Sequence, residues 1–230
     1  MEIMASSEAQ PASNLPPAFL ASIPRHETAV ILAAAQLKNF GAKRVIITAG
    51  DPAAHLFLIR SGRVKYFRST SSGVDIIFQW LTPGDVFGLG TLLKRPFEYI
   101  GSAEAMENCE VLVRNHASIR SLAELYPQLA ENALIVIQRY MLAYVERQVS
   151  FSEQNAGQRL AALLLDLGNR TGRVSPYGVE IDATNEQLSG LADMTPFTAS
   201  RWLSKWQRQG AVSKKRGKIV IHAPETLLVE

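Results

Sequence analysis

The chain has 230 residues, 47% of them apolar and 20% charged, which suits one large or two modest domains with their own cores and excludes a disordered or collagen-like chain. Its single Cys excludes a disulfide framework, a multi-cysteine zinc site and a protein-borne four-cysteine iron–sulfur cluster, and points to a reducing, cytoplasmic compartment. The longest purely apolar run, Ala29 to Ala35, is far short of the roughly 18 residues that span a bilayer, and no basic region leads into an apolar core at the N-terminus, so neither membrane insertion nor secretion is expected. The net charge of +3 is unevenly placed: residues 1–155 carry 14 basic and 14 acidic side chains, residues 156–230 carry 10 and 7. Within that last third, Thr195 to Lys218 holds seven basic residues and no acid, a local field that attracts a polyanion unless it is only a solvated face.

In chain order, Pro11, Pro16, Pro17 and Pro24 among small polar residues predict a flexible arm over 1–25. A short apolar helix follows, over about 26–38. Runs rich in β-branched and aromatic residues then appear at Val45–Ile47, Leu56–Ile59, Val64–Phe67, Ile76–Leu81, Val86–Phe87 and Glu110–Val113. Gly50, Gly62, Gly73 and Gly84 punctuate them at intervals of 12, 11 and 11 residues, the turn spacing of a small antiparallel roll. These signals make 26–126 a β-roll domain.

After Pro127 neither Gly nor Pro occurs up to Phe151, which predicts one long helix over 127–152, ending in a hinge at Ser152–Gln154. Ala130, Leu134, Ile137, Met141, Tyr144, Gln148 and Phe151 follow a heptad, the seam of a coiled-coil homodimer. Leu129, Ala133, Val136 and Tyr140 form a second stripe suited to the β domain. A single docking helix within one chain is the alternative.

Residues 153–230 read as a winged helix-turn-helix. A helix from Asn155 to Asn169 leads to a turn at Gly172 and a strand near Val179–Ile181. Thr184 with Gln187 makes a capping box for a short helix through Ala192. Thr195 then caps a second helix that has Pro196 at its first position, where the missing N–H costs nothing. That helix buries Ala199, Trp202, Leu203 and Trp206 and stops before Gly210. Its outward face collects Phe197, Thr198, Ser200, Arg201, Ser204, Lys205 and Arg208, with the N-terminal side chains placed to reach base edges and Arg201 able to donate two hydrogen bonds to guanine. Thr195 and the first-turn amides suit a phosphate. A hairpin from Val212 to Ile221 forms the wing, whose Lys214, Lys215, Arg216 and Lys218 would follow the DNA backbone.

This order of β roll, long helix, hinge and winged helix-turn-helix resembles the CRP/FNR (cyclic-AMP receptor / fumarate-nitrate-reduction) family of bacterial transcription regulators from about residue 40 to 228. The strings that carry the resemblance are Ala49-Gly50-Asp51, Leu56-Phe57-Leu58-Ile59, Gly62-Arg63-Val64, Leu81 to Gly88, Arg159-Leu160-Ala161, Ser200-Arg201, and Ile219-Val220-Ile221 followed by Leu227. The resemblance implies an α+β chain with a cyclic-nucleotide-binding-like jelly roll, a homodimer on palindromic double-stranded DNA, RNA polymerase as a further partner and a small-molecule effector. It places the effector pocket at Phe87, Gly88, Leu89, Gly90, Tyr99, Ile100, Tyr144 and Val145, and the dimer interface at Leu134, Ile137, Met141, Tyr144, Gln148 and Phe151.

The departures are informative. Cyclic-nucleotide-binding members follow the Phe-Gly pair with a Glu that holds the ribose, and later neutralise the phosphate with Arg-Ser or Arg-Thr. Here Leu89 and Gly90 follow Phe87-Gly88, and the phosphate pair falls on Tyr99 and Ile100, so the expected effector is not cyclic AMP. The oxygen-sensing branch shares Ser-Arg but needs an N-terminal cysteine cluster absent here, and has a Glu where this chain has Phe197. Phe197 either touches a thymine methyl or packs beside Met194. His26, His55, His116 and His222 read as surface or packing residues before haem ligands, and Cys109 as structural. No phosphate loop, HExxH motif or GxSxG elbow indicates an enzyme, and neither a catalytic nor a metal-ligating residue is assigned. Two further readings stand beside the ligand-responsive regulator: an effector-independent regulator with a filled pocket, and a regulatory module acting on a protein partner.

Overall fold

The computed structural model describes residues 17–71, 75–215 and 217–227. A 3-10 turn at Ala18–Leu20 precedes α1 (Arg25–Ala33), β1 (Gln36–Phe40), β2 (Val45–Ile47), β3 (His55–Ser61), β4 (Val64–Ser69), β5 (Asp75–Leu81) and β6 (Val86–Phe87). Beyond a second 3-10 turn at Leu89–Leu92 come β7 (Ser102–Ala105), β8 (Cys109–Asn115), α2 (His116–Leu125), α3 (Gln128–Glu153) and α4 (Ala156–Thr171). The remainder holds β9 (Arg173–Ser175), β10 (Gly178–Asp182), α5 (Asn185–Leu191), α6 (Pro196–Arg208), β11 (Val212–Lys215), β12 (Lys218–Ile221) and α7 (Pro224–Leu227).

The roll is two antiparallel four-stranded sheets, ordered β1-β8-β3-β6 and β2-β7-β4-β5. The unbroken apolar run of β3 is explained by burial on both faces. Phe57 and Ile59 point between the sheets, where they meet Val64, Leu81, Phe87 and Val111, while Leu56 and Leu58 join a second cluster with Ile119 of α2 and Leu129, Ala133 and Val136 of α3. The stripe of α3 read as docking on the β domain therefore does so. Its other stripe stays bare, with Leu134 67% and Met141 59% exposed.

Three readings need correction. The helix expected over about 26–38 stops at Ala33, and Gln36–Phe40 is instead an edge strand paired with Cys109–Val113; pairing to β8 overrides the helix propensity of Ala33 to Leu37. The flexible arm of 1–25 is ordered in its described part. Phe19, Leu20 and Ile23 are buried in the second cluster, and Asn132 of α3, itself buried, donates to the carbonyls of Phe19 (3.0 Å) and Ala21 (2.8 Å). Its first 16 residues, like Gly73, lie outside the described residues. Finally, β7, α2 and β9 had no counterpart in the sequence reading: β7 is built from small residues, Ser-Ala-Glu-Ala, without the β-branched signal of its neighbours.

The C-terminal part forms a third antiparallel sheet, β11-β12-β10-β9, with α4, α5 and α6 packed on it. Its core is continuous with the roll, because Phe67, Ile77 and Trp80 of β4 and β5 are buried with Leu160, Leu164, Leu188, Leu203 and Trp206. Three arginines reinforce the joint. Arg63 of the roll bridges Glu107 (3.1 and 3.2 Å) and the Asp182 carbonyl, Arg170 of α4 donates to the Trp80 carbonyl, and Arg147 of α3 donates to the Ile77 carbonyl.

Replacing Asn132 by Ala leaves the two carbonyls of the N-terminal turn without their donor, and should cost about 1–3 kcal/mol. The expected outcome is a lower urea midpoint at unchanged slope, with earlier tryptic cleavage at Arg25.

Candidate DNA-binding surface

Helix-turn-helix geometry is set here by local caps. Thr184 accepts from the Gln187 N–H while the Gln187 side chain accepts from the Thr184 N–H, which starts α5. The turn between α5 and α6 places Asp193 at φ +48°, in the left-handed region that Asp tolerates better than most side chains. Thr195 then caps α6 by accepting from the Thr198 N–H at 3.1 Å, with Pro196 at the first helical position. Arg159 holds this turn in place: Nε donates to the Ala192 carbonyl, one Nη to that of Asp193 and the other to that of Gln154. One guanidinium thus ties the turn between the two helices to the end of α3. In the sequence Arg159 stands out only within Arg159-Leu160-Ala161, and a long donor one turn into a helix is its only local signal.

The apolar side of α6 lies in the core through Ala199, Leu203 and Trp206. Trp202 is half-buried and rests on Gly157 of α4, where any Cβ would come within 2.6 Å of the indole. On the outer side Thr195, Pro196, Phe197 and Arg201 are exposed, with Thr198, Ser200 and Lys205 half-buried. Phe197 is 77% exposed while Met194 turns toward the core, so of its two expected roles, packing at the turn is overturned. Lys205 Nζ sits 4.8 Å from the Trp202 ring centroid, a cation–π contact that directs its ammonium along the helix surface.

The wing is the β11–β12 hairpin. Lys214 donates to Ser204 at 2.9 Å and so fastens the wing to α6, while Lys215 is exposed. Lys218 is half-buried, its ammonium 3.5 Å from Glu180 and 3.8 Å from Asp182 of β10. Arg216 and the side chain of Phe151 lie outside the described residues.

Of the eight pocket positions, Phe87, Gly88 and Tyr99 come together in the roll and the other five do not join them. Phe87 stacks on Phe57 at 4.7 Å inside the roll. Gly88, at φ +77°, lies so close to the His55 carbonyl that a Cβ would approach it to 2.4 Å. The Tyr99 ring fills the space beside Gly88, its hydroxyl accepting from the His55 N–H (3.0 Å) and donating to the His55 carbonyl (3.1 Å). Leu89 is buried in the other cluster, Gly90 and Ile100 face outward, and Tyr144 and Val145 lie on the exposed side of α3. Tyr140 closes the roll by donating to the Val86 carbonyl at 2.8 Å. Burial pushes the hydroxyl pKa values of Tyr99 and Tyr140 up, so both remain neutral donors. Cys109 is buried against the carbonyls of Arg63 and Glu107, and burial raises its thiol pKa in the same way. His116 Nδ1 is engaged by the Thr91 carbonyl, and His222 by Tyr177 and Ser213. Among the described residues no cluster of three or more His, Cys, Asp or Glu side chains is arranged to hold a metal ion, and no helix is long and apolar enough to cross a membrane.

Two family models match the chain. Residues 37–126 match the family described as cyclic nucleotide-binding domain, and residues 158–229 match the Crp-like helix-turn-helix domain. Electron transport regulator A of Shewanella oneidensis is 28% identical over 178 residues, covering 76% of this chain and 70% of that protein. The fumarate and nitrate reduction regulatory protein of Salmonella typhimurium is 26% identical over 192 residues, covering 80% and 74%. Among solved structures, FixK2 from Bradyrhizobium japonicum superposes with a TM-score of 0.74 at 21% identity, covering 84% of this chain and 96% of that one.

Proposed function

The chain belongs to the CRP/FNR family of DNA-binding transcription regulators, and from that premise we propose that it acts as a cytoplasmic homodimer whose paired winged helices bind a two-fold-related DNA site. RNA polymerase is the further partner of the bound regulator. The observation that carries the reading is the division of α6: Ala199, Leu203 and Trp206 are sealed in the core while Thr195, Phe197 and Arg201 stand bare, next to a wing fastened by Lys214. Arg201 reads a base, guanine fitting its paired donors, and Phe197 suits a thymine methyl, giving a target unlike that of the oxygen-sensing branch. Lys214 and Lys215 contact phosphate, whereas Lys218 contributes less because Glu180 and Asp182 already hold it.

The assembly reading rests on the bare stripe of α3. Leu134, Ile137, Met141 and Tyr144 are exposed at heptad spacing while the opposite stripe is used up by the roll, and a second copy of the same helix is the surface that matches. In the roll, Tyr99 and Ile100 offer no positive charge for a cyclic phosphate, and Tyr99, Phe57, Phe87 and Tyr140 occupy the interior. Cyclic AMP therefore has little to bind. The filled interior also favours the second reading, a regulator that needs no effector in the roll.

Selection of bound sites from a random DNA pool tests the first reading. Arg201→Ala should lose about 1–3 kcal/mol per half-site and relax the preference at one base pair, whereas Lys215→Ala should weaken all sequences alike and flatten the salt slope by about one unit per phosphate lost. A motif unchanged by Arg201→Ala would reduce that residue to a phosphate contact, and the absence of any salt-dependent DNA binding would favour a module acting on a protein partner. For assembly, replacing Ile137 and Met141 together by Glu sets like charges across the seam, and the variant should sediment as a monomer; a wild-type chain already monomeric at micromolar concentration would refute the dimer. For the effector, calorimetry with tens of micromolar cyclic AMP should give no heat, and micromolar affinity with a matching rise in DNA binding would show the roll to be open to it.

A further inference from the structure

One guanidinium crosses from the roll to the winged helix at the point where the helix-turn-helix begins, away from the residues that face DNA. Arg63 stands in the turn between β3 and β4, with its side chain only 14% exposed. Its own backbone is anchored, since its carbonyl accepts from the Met106 N–H at 2.9 Å. Nε and one Nη form a fork on the Glu107 carboxylate (3.1 and 3.2 Å), and the guanidinium carbon lies 5.8 Å from the ring centroid of the buried Trp80. The other Nη donates to the carbonyl of Asp182, 119 residues later. Only a planar fork of donors serves a carboxylate and a carbonyl at once in this way.

Asp182 is a sensitive place to hold. It ends β10, its carboxylate accepts from Arg173 at 2.6 Å, Ala183 after it is buried, and Thr184 then caps α5. A tie at Asp182 therefore fixes where α5 starts, and α6 follows through the turn that Arg159 clamps. The apolar contact of Ile77 and Trp80 with Leu188 and Leu191 adds adhesion on the same side, but burial is non-directional; the Arg63 bonds supply the orientation. This docking leaves the reading face open, because Thr195, Phe197 and Arg201 are exposed in it.

We propose that Arg63 is a positioning residue for DNA recognition: it latches each winged helix to its own roll in the orientation that reads DNA, so that the two α6 helices of a dimer meet a two-fold site already spaced. This rests on the reading of the chain as a DNA-binding homodimer. Two half-sites are met at a fixed helical spacing. A winged helix free to swing still binds one half-site, but its partner then reaches the second at a lower effective concentration. Holding both domains before DNA arrives removes that ordering cost. Arg63 itself, mostly buried and paired with Glu107, neutralises no phosphate, so its loss leaves the salt slope unchanged.

Arg63→Gln, which removes the fork, and Arg63→Glu, which sets a carboxylate against Glu107, test the latch in the full chain. Fluorescence anisotropy compares labelled DNA carrying the selected two-fold site with DNA carrying one half-site. Affinity for the two-fold site should fall about tenfold in Arg63→Gln and further in Arg63→Glu, with half-site affinity, salt slope and sedimentation as in the wild type. Arg63→Lys, which keeps the charge without the fork, should lie between the wild type and Arg63→Gln. Asn132→Ala, destabilising at a distance from the joint, should leave the ratio of the two affinities unchanged, which separates positioning from general stability. Pulsed dipolar spectroscopy reads the docking itself, with spin labels at Arg60→Cys on the roll and Tyr177→Cys beside the wing, both exposed positions, in labelled chains diluted with unlabelled ones. One narrow distance in the otherwise wild-type chain should broaden in Arg63→Glu. An unchanged distance in Arg63→Glu, or two-fold and half-site affinities that fall together or not at all, would overturn the proposal. A chain that binds no DNA at any salt concentration, yet broadens with Arg63→Glu, upholds the docking by Arg63 and defeats the DNA reading.

Discussion

The architecture depends on one helix that is apolar on two sides. α3 is 26 residues long, and it buries Leu129, Ala133 and Val136 against the roll and the N-terminal turn while leaving Leu134, Ile137 and Met141 in the open. A helix of this pattern is not satisfied within one chain, since the opposite stripe is already used to hold the roll. The inner stripe also orders the chain before α1, because Asn132 on that side captures two carbonyls of the 17–24 segment.

From the end of α3 the connection to α6 is short and tightly bonded. Arg159 donates to the Gln154 carbonyl at the helix end and to the carbonyls of Ala192 and Asp193 in the turn before α6, so that turn is tied to the end of α3. The roll is coupled to the same unit by a shared core. Phe67, Ile77 and Trp80 are buried among residues of α4, α5 and α6, and Gly190 of α5 lies so close to Ile77 that a Cβ would approach it to 2.9 Å. Backbone carbonyls at the joint are taken by Arg63, Arg147 and Arg170, and burial lowers the Arg147 pKa without a carboxylate in direct contact. The joint thus combines an apolar interior with a few directional donors, an arrangement that favours discrete positions over a continuous range.

The interior of the roll departs from what a charged ligand requires. Tyr99 satisfies its own hydroxyl on both backbone groups of His55, and Tyr140 does so on Val86. These rings remove the space and spend the donors that an anionic guest would use. The guanidinium nearest these positions, that of Arg68, donates to the Ile100 carbonyl on the outside of the roll. The family fold alone does not name a ligand for the roll.

Sequence alone determined the features governed by local chemistry. The caps at Thr184 and Thr195, the helix starting at Pro196, the stop before Gly210, the glycine-spaced strands and the two stripes of α3 are each written in a few neighbouring residues, since caps, turns and helical periodicity are short-range effects. Long-range contacts decided the rest. Gln36–Phe40 became a strand because β8 needed an edge partner, and the tail of the arm became ordered because α3 offered Asn132 and an apolar bed. Lys218 is drawn toward Glu180 and Asp182, which lie 36 to 38 residues earlier in sequence but on the neighbouring strand. The filling of the roll by Tyr99 and the clamp of Arg159 likewise depend on residues 30 or more positions apart. No window of sequence carries such partners; only packing in three dimensions, where burial and backbone pairing select among locally acceptable conformations, brings them together.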